Sequence, residues 1–227
     1  MRREDRSNQS RSLTNVKTVA VFLSSVLLCY LMVNISLHSL THGFSFLFIS
    51  SLFLGYIFAD LMTGTVHWFC DSFFSEKTPI IGNLIISPFR EHHLYPHLIT
   101  EDKFIEQDTT SFFLFMPFLY QAVFIQNNYL DNPKLIHVHF LLIGLCIGTF
   151  CTNLFHKWAH QKNENFLILG LQKLGLILNF DNHKKHHNDH SKSYCVTSGI
   201  LNPILDYLRF FPTLELVIRS FLNGFRK

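Results

Sequence analysis

Charge is what this chain has least of. Only 15% of its 227 residues are Asp, Glu, Lys or Arg, against about a quarter in soluble domains. None at all occurs between Thr18 and Ala59. Apolar residues make up 48% and phenylalanine alone appears 25 times, which excludes an ordinary soluble domain and points to a membrane protein. A net charge of +3 is too small for a nucleic-acid partner. The cysteines (Cys29, Cys70, Cys146, Cys151 and Cys195) are odd in number and lack CxxC spacing. That excludes a disulfide framework or zinc knuckle and leaves reduced, mostly buried thiols. There is no internal repeat and no low-complexity tract.

What is abundant is histidine, with 14 residues. Four fall within His183-Lys184-Lys185-His186-His187-Asn188-Asp189-His190. On a helix, His183, His186, His187 and His190 occupy i, i+3, i+4 and i+7 and share one face, with both lysines pointing elsewhere. Imidazoles gathered this way repel once protonated and make sense as neutral donors to a metal. The competing reading is a solvated basic loop.

In chain order, residues 1–17 read as a short disordered tail. The uncharged run from Thr18 is too long for one span and sufficient for two, broken at His38 to Gly43. Its first half exceeds a typical signal-peptide core and is followed by no small-residue cleavage site, so an uncleaved anchor is expected. Ser111 to Leu130 and Leu135 to His156 supply a third and fourth span, with Pro117 predicting a kink. Phe166 to Phe180 is short for a span and is expected in the interface or against the protein. After Pro212, Leu214, Val217, Ile218, Phe221 and Leu222 oppose Glu215 and Arg219, as in an amphipathic helix lying on a membrane or an ordinary packing helix. The fold class is therefore an all-α integral membrane protein of about four spans, with interfacial helices and one domain over residues 18–227. Of the 19 lysines and arginines, 18 lie on one side of such a topology. That side is assigned to the cytoplasm, with both termini. Ten histidines share it: His67, His92, His93, His97, His156, His160, His183, His186, His187 and His190. His38, His42, His137 and His139 fall opposite and are not expected to be ligands.

Several groupings sharpen the metal reading. Asp60, Gly64, His67 and Asp71 share a helical face; Gly64 leaves room for a neighbour, and Asp71 can either reach the ion bound by His67 or orient that ring. Asp60, costly near a membrane, reads equally well as a cap or helix–helix bond. His92 and His93 follow Pro88-Phe89-Arg90-Glu91; adjacent helical residues diverge by about 100°, so either the backbone is irregular or they serve different ions. Arg90 and Glu91 are candidates to support a ligand or meet a lipid phosphate, and His97 reads as a loop residue. His156 and His160 are i, i+4, with Asn153 a turn earlier. His67, His92, His93, His156, His160, His183, His186 and His187, with Asp71 and His190 in reserve, are too many for one metal and suit two. All-imidazole donors favour iron, copper, nickel or zinc.

The motifs Asp60-x3-Gly64-x2-His67-Trp68-x2-Asp71, Pro88-Phe89-Arg90-Glu91-His92-His93-x2-Pro96, Asn153-x2-His156-Lys157-Trp158-x-His160, His183-x2-His186-His187 and Tyr194-Cys195-Val196-Thr197-x-Gly199-x2-Asn202 resemble the Kua-type lipid desaturases. The Pro-Phe-Arg-Glu-His-His and His-Lys-Trp pieces are closer to that family's plasmanylethanolamine branch than to its chloroplast phosphatidylglycerol palmitate branch. The resemblance implies a membrane non-haem di-iron enzyme that uses O2 and electrons from a cytochrome b5-like or ferredoxin-like donor. It would remove two hydrogens from a phospholipid chain, giving a vinyl ether in the first branch. With no donor domain in the sequence, electrons are expected from a partner. A lipid hydroxylase on the same metal core is the nearest rival. A metal transporter or sensor is disfavoured because its ionisable ligands belong near the midplane of the spans, and a zinc hydrolase would need fewer histidines and an activating acid. The expected membrane is the bacterial inner membrane or the eukaryotic endoplasmic reticulum.

Overall fold

The computed structural model describes residues 11–43, 45–79, 81–101, 109–128, 133–162 and 165–224. The regular structure of these residues is all helical: α1 (Arg11–His42), α2 (Phe46–Ser72), α3 (Ser87–Leu94), α4 (Leu98–Glu101), α5 (Thr109–Asn128), α6 (Pro133–His160), α7 (Phe166–Lys173), α8 (Phe180–Asn188), α9 (Asn202–Tyr207) and α10 (Phe210–Gly224). Helix α1 runs through His42 and α2 starts at Phe46, so the helix persists through most of the stretch expected to break it and ends at that stretch's last residues. Helix α1 begins within the stretch read as a tail; residues 1–10 lie outside the described ones.

Among the described residues, three segments are long and apolar enough to cross a membrane: Asn15–His42, Phe46–Ser72 and Lys134–His160. The stretch expected to be another span forms α5, a 20-residue helix that runs through Pro117; it is not among those three. Side chains such as Phe22, Leu40, Phe46 and Leu47 are exposed, as lipid-facing residues are.

The chain divides into two compact units, the first comprising Met1–Ala59 and Glu101–Leu154, the second Asp60–Thr100 and Phe155–Lys227. The first unit is held by apolar packing of Leu28, Leu31 and Ile35 from α1, Phe115, Leu119, Ala122 and Ile125 from α5, and Phe140, Ile143 and Cys146 from α6. Its hydroxyls are satisfied within their own helices: Ser24, Ser39 and Thr149 each donate to the carbonyl four residues back, at 2.8 Å, the usual solution where water is absent. Helices α2 and α6 meet through glycine. A Cβ on Gly55 would lie 1.9 Å from the Leu141 carbonyl oxygen, and one on Gly144 would lie 1.9 Å from that of Leu52. Backbones this close exclude any side chain at either position.

The second unit has two small apolar clusters, Trp68 with Tyr194 and Phe211, and Ala159 with Leu178 and Val196. A π-helical turn, Gly82–Ile86, leads into α3, and Pro88 occupies its first turn, where no amide hydrogen is needed. Helix α7 covers only part of the apolar Phe166 to Phe180 stretch. Asn165 Oδ1 caps it by accepting from the amides of Leu167 and Ile168, while Phe166, Leu167 and Leu169 are exposed. Helix α10 begins at Phe210, ahead of Pro212, and is amphipathic as expected, with one apolar edge packed against the protein. Leu214 and Ile218 pack inward, Leu216, Val217, Phe221 and Leu222 are exposed, and the polar pair turns toward the protein. Arg219 bonds Glu215 at 2.8 Å and donates to the Ser72 carbonyl at 2.7 Å.

Candidate metal centre

Every sequence-predicted donor lies in the second unit. The last turns of α2 bring His67 and Asp71, α3 brings His92 and His93, the end of α6 brings His156 and His160, and α8 brings His183, His186 and His187. Asn179 caps α8 by accepting from the Asn182 amide. The helix stops at Asn188, so His190 lies in the following turn rather than on the helical face expected of it.

Folding sorts these residues into groups whose potential ligand atoms lie within 4.8 Å of one another. One group is His92, His156, His160, His183 and His187; the second is His67, Asp71, His93 and His186. His93, His187 and His190 form a third that borrows one member from each. The single helical face of α8 is thus shared out, His183 and His187 to the first group and His186 to the second. The neighbours His92 and His93 also part, as their angular separation on a helix requires.

The protonation chemistry of both groups fits metal ions. In the five-histidine group, Nε2 contacts run from His156 to His183 (2.8 Å), His183 to His187 (2.9 Å), His187 to His92 (3.2 Å) and His92 to His160 (3.1 Å). Each neutral Nε2 has either one hydrogen or one lone pair, so it can make one good bond. Along such a chain no more than two of the four contacts can be hydrogen bonds. The other contacts oppose like groups unless a cation receives the lone pairs.

In the four-donor group the evidence is a carboxylate facing lone pairs. His67 Nδ1 donates to the Tyr194 carbonyl at 3.1 Å, and His186 Nδ1 donates to the Lys192 carbonyl at 2.7 Å. In the neutral rings Nε2 is then an unprotonated acceptor. It lies 3.4 Å from Asp71 Oδ2 for His67 and 3.6 Å for His186, and His67 Nε2 has no hydrogen-bond partner although buried. A shared cation turns that repulsion into coordination. His93 Nε2 lies 3.1 Å from both Asp71 oxygens.

Burial, then neighbouring imidazoles, hold His92 and His183 well below the ordinary imidazole value, and the same causes bring His187 down to about 3. These rings are neutral donors at physiological pH. His67, His183 and His186 are buried, and His92, His93, His160 and His187 partly so.

Other candidates have different placements. Asp60 accepts backbone amides and joins neither group. Arg90 donates to the Phe74 carbonyl at 2.7 Å, bracing the loop before α3, and His97 is an exposed turn residue. Glu91 and Asn153 are in none of the three groups. Lys184 sits over the Phe180 ring and Lys185 donates to Asn182, both on the exposed side of α8. Sequence reasoning missed the carbonyls of Lys192 and Tyr194, which no side-chain pattern announces. Their only trace was the Tyr194 to Asn202 motif.

A profile described as a lipid desaturase domain matches residues 56–226, a region that contains every donor named above. This chain belongs to the lipid desaturase family. It is 34% identical to plasmanylethanolamine desaturase of Myxococcus xanthus over 77% of this chain and 61% of that protein. It is 31% identical to plasmanylethanolamine desaturase 1 of Mus musculus, over 86% of this chain and 75% of the mouse protein. The chloroplastic fatty acid desaturase 4-like 2 of Arabidopsis thaliana is 32% identical over 73% of this chain and 58% of its own length. The chain thus spans about three fifths of the first two curated relatives it matches that are not from mouse. No solved structure matches it.

Proposed function

We propose that this lipid desaturase family member is an O2-dependent oxidoreductase that dehydrogenates an alkyl chain of a membrane phospholipid, forming the vinyl ether of a plasmalogen from plasmanylethanolamine. The observation that carries this reading is the pair of donor groups, five histidines beside three histidines and an aspartate, in a chain similar to two proteins named as plasmanylethanolamine desaturases. Two iron ions fit these donors, one held by His92, His156, His160, His183 and His187, the other by His67, Asp71, His93 and His186. His190 stands next to both groups.

When bound, the iron pair supplies with O2 the oxidising power that an unactivated C–H bond requires. The chain's own part is to hold neutral nitrogens in converging positions, to place a single carboxylate, Asp71, in one group only, and to keep bulk water from the buried rings. The asymmetry of charge makes the two positions chemically distinct. Electrons come from a separate cytochrome b5-like or ferredoxin-like donor. Residues 18–227 act as one membrane domain in which α5 serves as a further span. Both termini and the metal centre face the cytoplasm, in the inner membrane of a bacterium or the endoplasmic reticulum of a eukaryote. The exposed apolar sides of α7 and α10 rest in the interface.

The test is lipid mass spectrometry of cells that contain alkyl-ether phospholipid but lack the desaturase, expressing the chain or its His186→Ala variant. The expected result is a histidine-dependent loss of two hydrogens yielding an acid-labile species. A gain of oxygen would replace the desaturase by a hydroxylase. A new double bond in an acyl chain, with ether lipids unchanged, would move the substrate toward that of the fatty acid desaturase relatives. No lipid change, with purified protein free of iron, would end the enzyme reading.

A further inference from the structure

Residues 193–199 form no helix or strand, yet all are buried. Irregular backbone at that depth must find a partner for its amides. One carboxylate serves three of them and reaches a fourth amide just beyond. Asp60 Oδ1 accepts from the amides of Thr197 (3.1 Å), Ser198 (2.8 Å) and Gly199 (3.0 Å), and Oδ2 from that of Leu201 (3.4 Å). The Asn202 side chain closes the segment on itself, accepting from the Cys195 amide at 2.9 Å and donating to the Cys195 carbonyl at 3.0 Å. Asp206 accepts from both the amide and the hydroxyl of Ser193, at 2.9 and 2.8 Å, and so holds that residue in a left-handed conformation, φ 58°. Cys195 lies flat against α2. A Cβ on Gly64 would be 2.6 Å from its Sγ and 3.0 Å from its Cα.

Two carbonyls at the start of this gripped segment meet the four-donor group, Lys192 at His186 and Tyr194 at His67. A carbonyl can only accept, so each ring carries its hydrogen on Nδ1 and turns its Nε2 lone pair toward Asp71. We propose that residues 192–202 are the positioning element of the four-donor group. Asp60, Asn202 and Asp206 are positioning residues that act through it. The segment sets tautomer and rotation of His67 and His186 before any metal arrives, so this position is preformed. Among the described residues the five-histidine group has no such bond from this segment. What occupies the group rests on the metal-centre reading above; the preformed tautomers do not.

The test begins with the metal-free protein in detergent micelles at neutral pH, carrying 15N-labelled histidine, with His67 and His186 assigned from single-site variants. Long-range 1H–15N spectra should show both as pure Nδ1–H tautomers. Averaged or Nε2–H tautomers would overturn the proposal. Cobalt(II) is then titrated into the unaltered chain and into Asp60→Asn, which keeps the side chain's shape but removes the negative charge that three amides share on Oδ1 and puts a donor where Oδ2 accepts from Leu201. One of the two cobalt equivalents should weaken by about 10- to 100-fold while the other is unchanged, the usual size of an effect transmitted through a ligand's supporting bond. Equal weakening of both equivalents, or none in a variant that keeps its circular dichroism, would overturn it. Should Asp60→Asn fail to fold, Ser193→Ala, which loses one hydroxyl bond to Asp206, takes its place with the same selective loss expected in smaller measure. An unaltered chain with locked tautomers that binds no cobalt would leave the positioning role standing and remove the proposed function instead.

Discussion

The two compact units solve opposite problems with the same kind of element. In the first, polar groups are settled at short range, serine and threonine hydroxyls returning to their own helix, and the helices touch through glycine. In the second, buried polar groups are settled across long stretches of chain. Asp60 reaches Thr197, Ser198 and Gly199, and His67 reaches Tyr194. His67 Nε2, which faces Asp71, is left buried without a hydrogen bond. Local satisfaction suits a scaffold in a solvent that offers no hydrogen bonds. Groups held in place yet left incomplete mark a site awaiting a ligand.

Breaking the second unit should have the largest effect. His183→Ala removes a buried donor from the five-histidine group; if the proposed pair of irons is bound, we expect lipid product to fall to background and bound iron to fall by about half. Elemental analysis of purified protein beside lipid mass spectrometry checks both. In the first unit, Gly144→Leu forces a side chain into the Leu52 carbonyl. Overpacking of this kind costs about 1–3 kcal/mol or more. A fall in the melting temperature of roughly 5 °C or more is expected, with the iron content of the folded fraction retained; unequal loss of iron would join the two regions functionally. Asp71→Asn sharpens the contrast within the second unit. It keeps the size of the side chain and removes the charge, so one metal equivalent should weaken on the order of tenfold or more while the other is unaffected, as read by cobalt titration. The smallest effect belongs to His42→Ala. His42 is exposed in the first unit, stacks on His38 at 4.3 Å, and its Nδ1 contacts only groups of its own exposed helix end, the Thr41 hydroxyl at 2.8 Å and the His38 carbonyl at 3.3 Å. Stability should move by less than about 0.5 kcal/mol, and iron and lipid product should not change.

Much of this was legible from the residues. The uncharged runs located α1, α2 and α6, and the histidine motifs with Asp71 supplied the side chains that the fold gathers into the donor groups. The angle between His92 and His93 on a helix left two readings, an irregular backbone or different ions, and the fold puts the two rings in different groups. Other features were not legible. His190 fits the helical spacing but follows the end of α8. Glu215 and Arg219 look like the wet side of α10, yet Arg219 bonds the Ser72 carbonyl, because a guanidinium close to exposed backbone finds a better partner there than in water. Asp60 shares a face with His67 and Asp71 but serves backbone amides, a demand that comes from a segment far along the chain.

The sequence by itself determined the composition that suits a membrane, the helices, and the supply of donors, because these depend on hydropathy, on periodicity and on which atoms a residue type carries. Only the tertiary structure decided which histidine joins which group and which ring nitrogen faces inward. Those choices turn on distances between α2, α3, α6 and α8, and on the Lys192 and Tyr194 carbonyls, groups that every residue possesses and no residue type reveals.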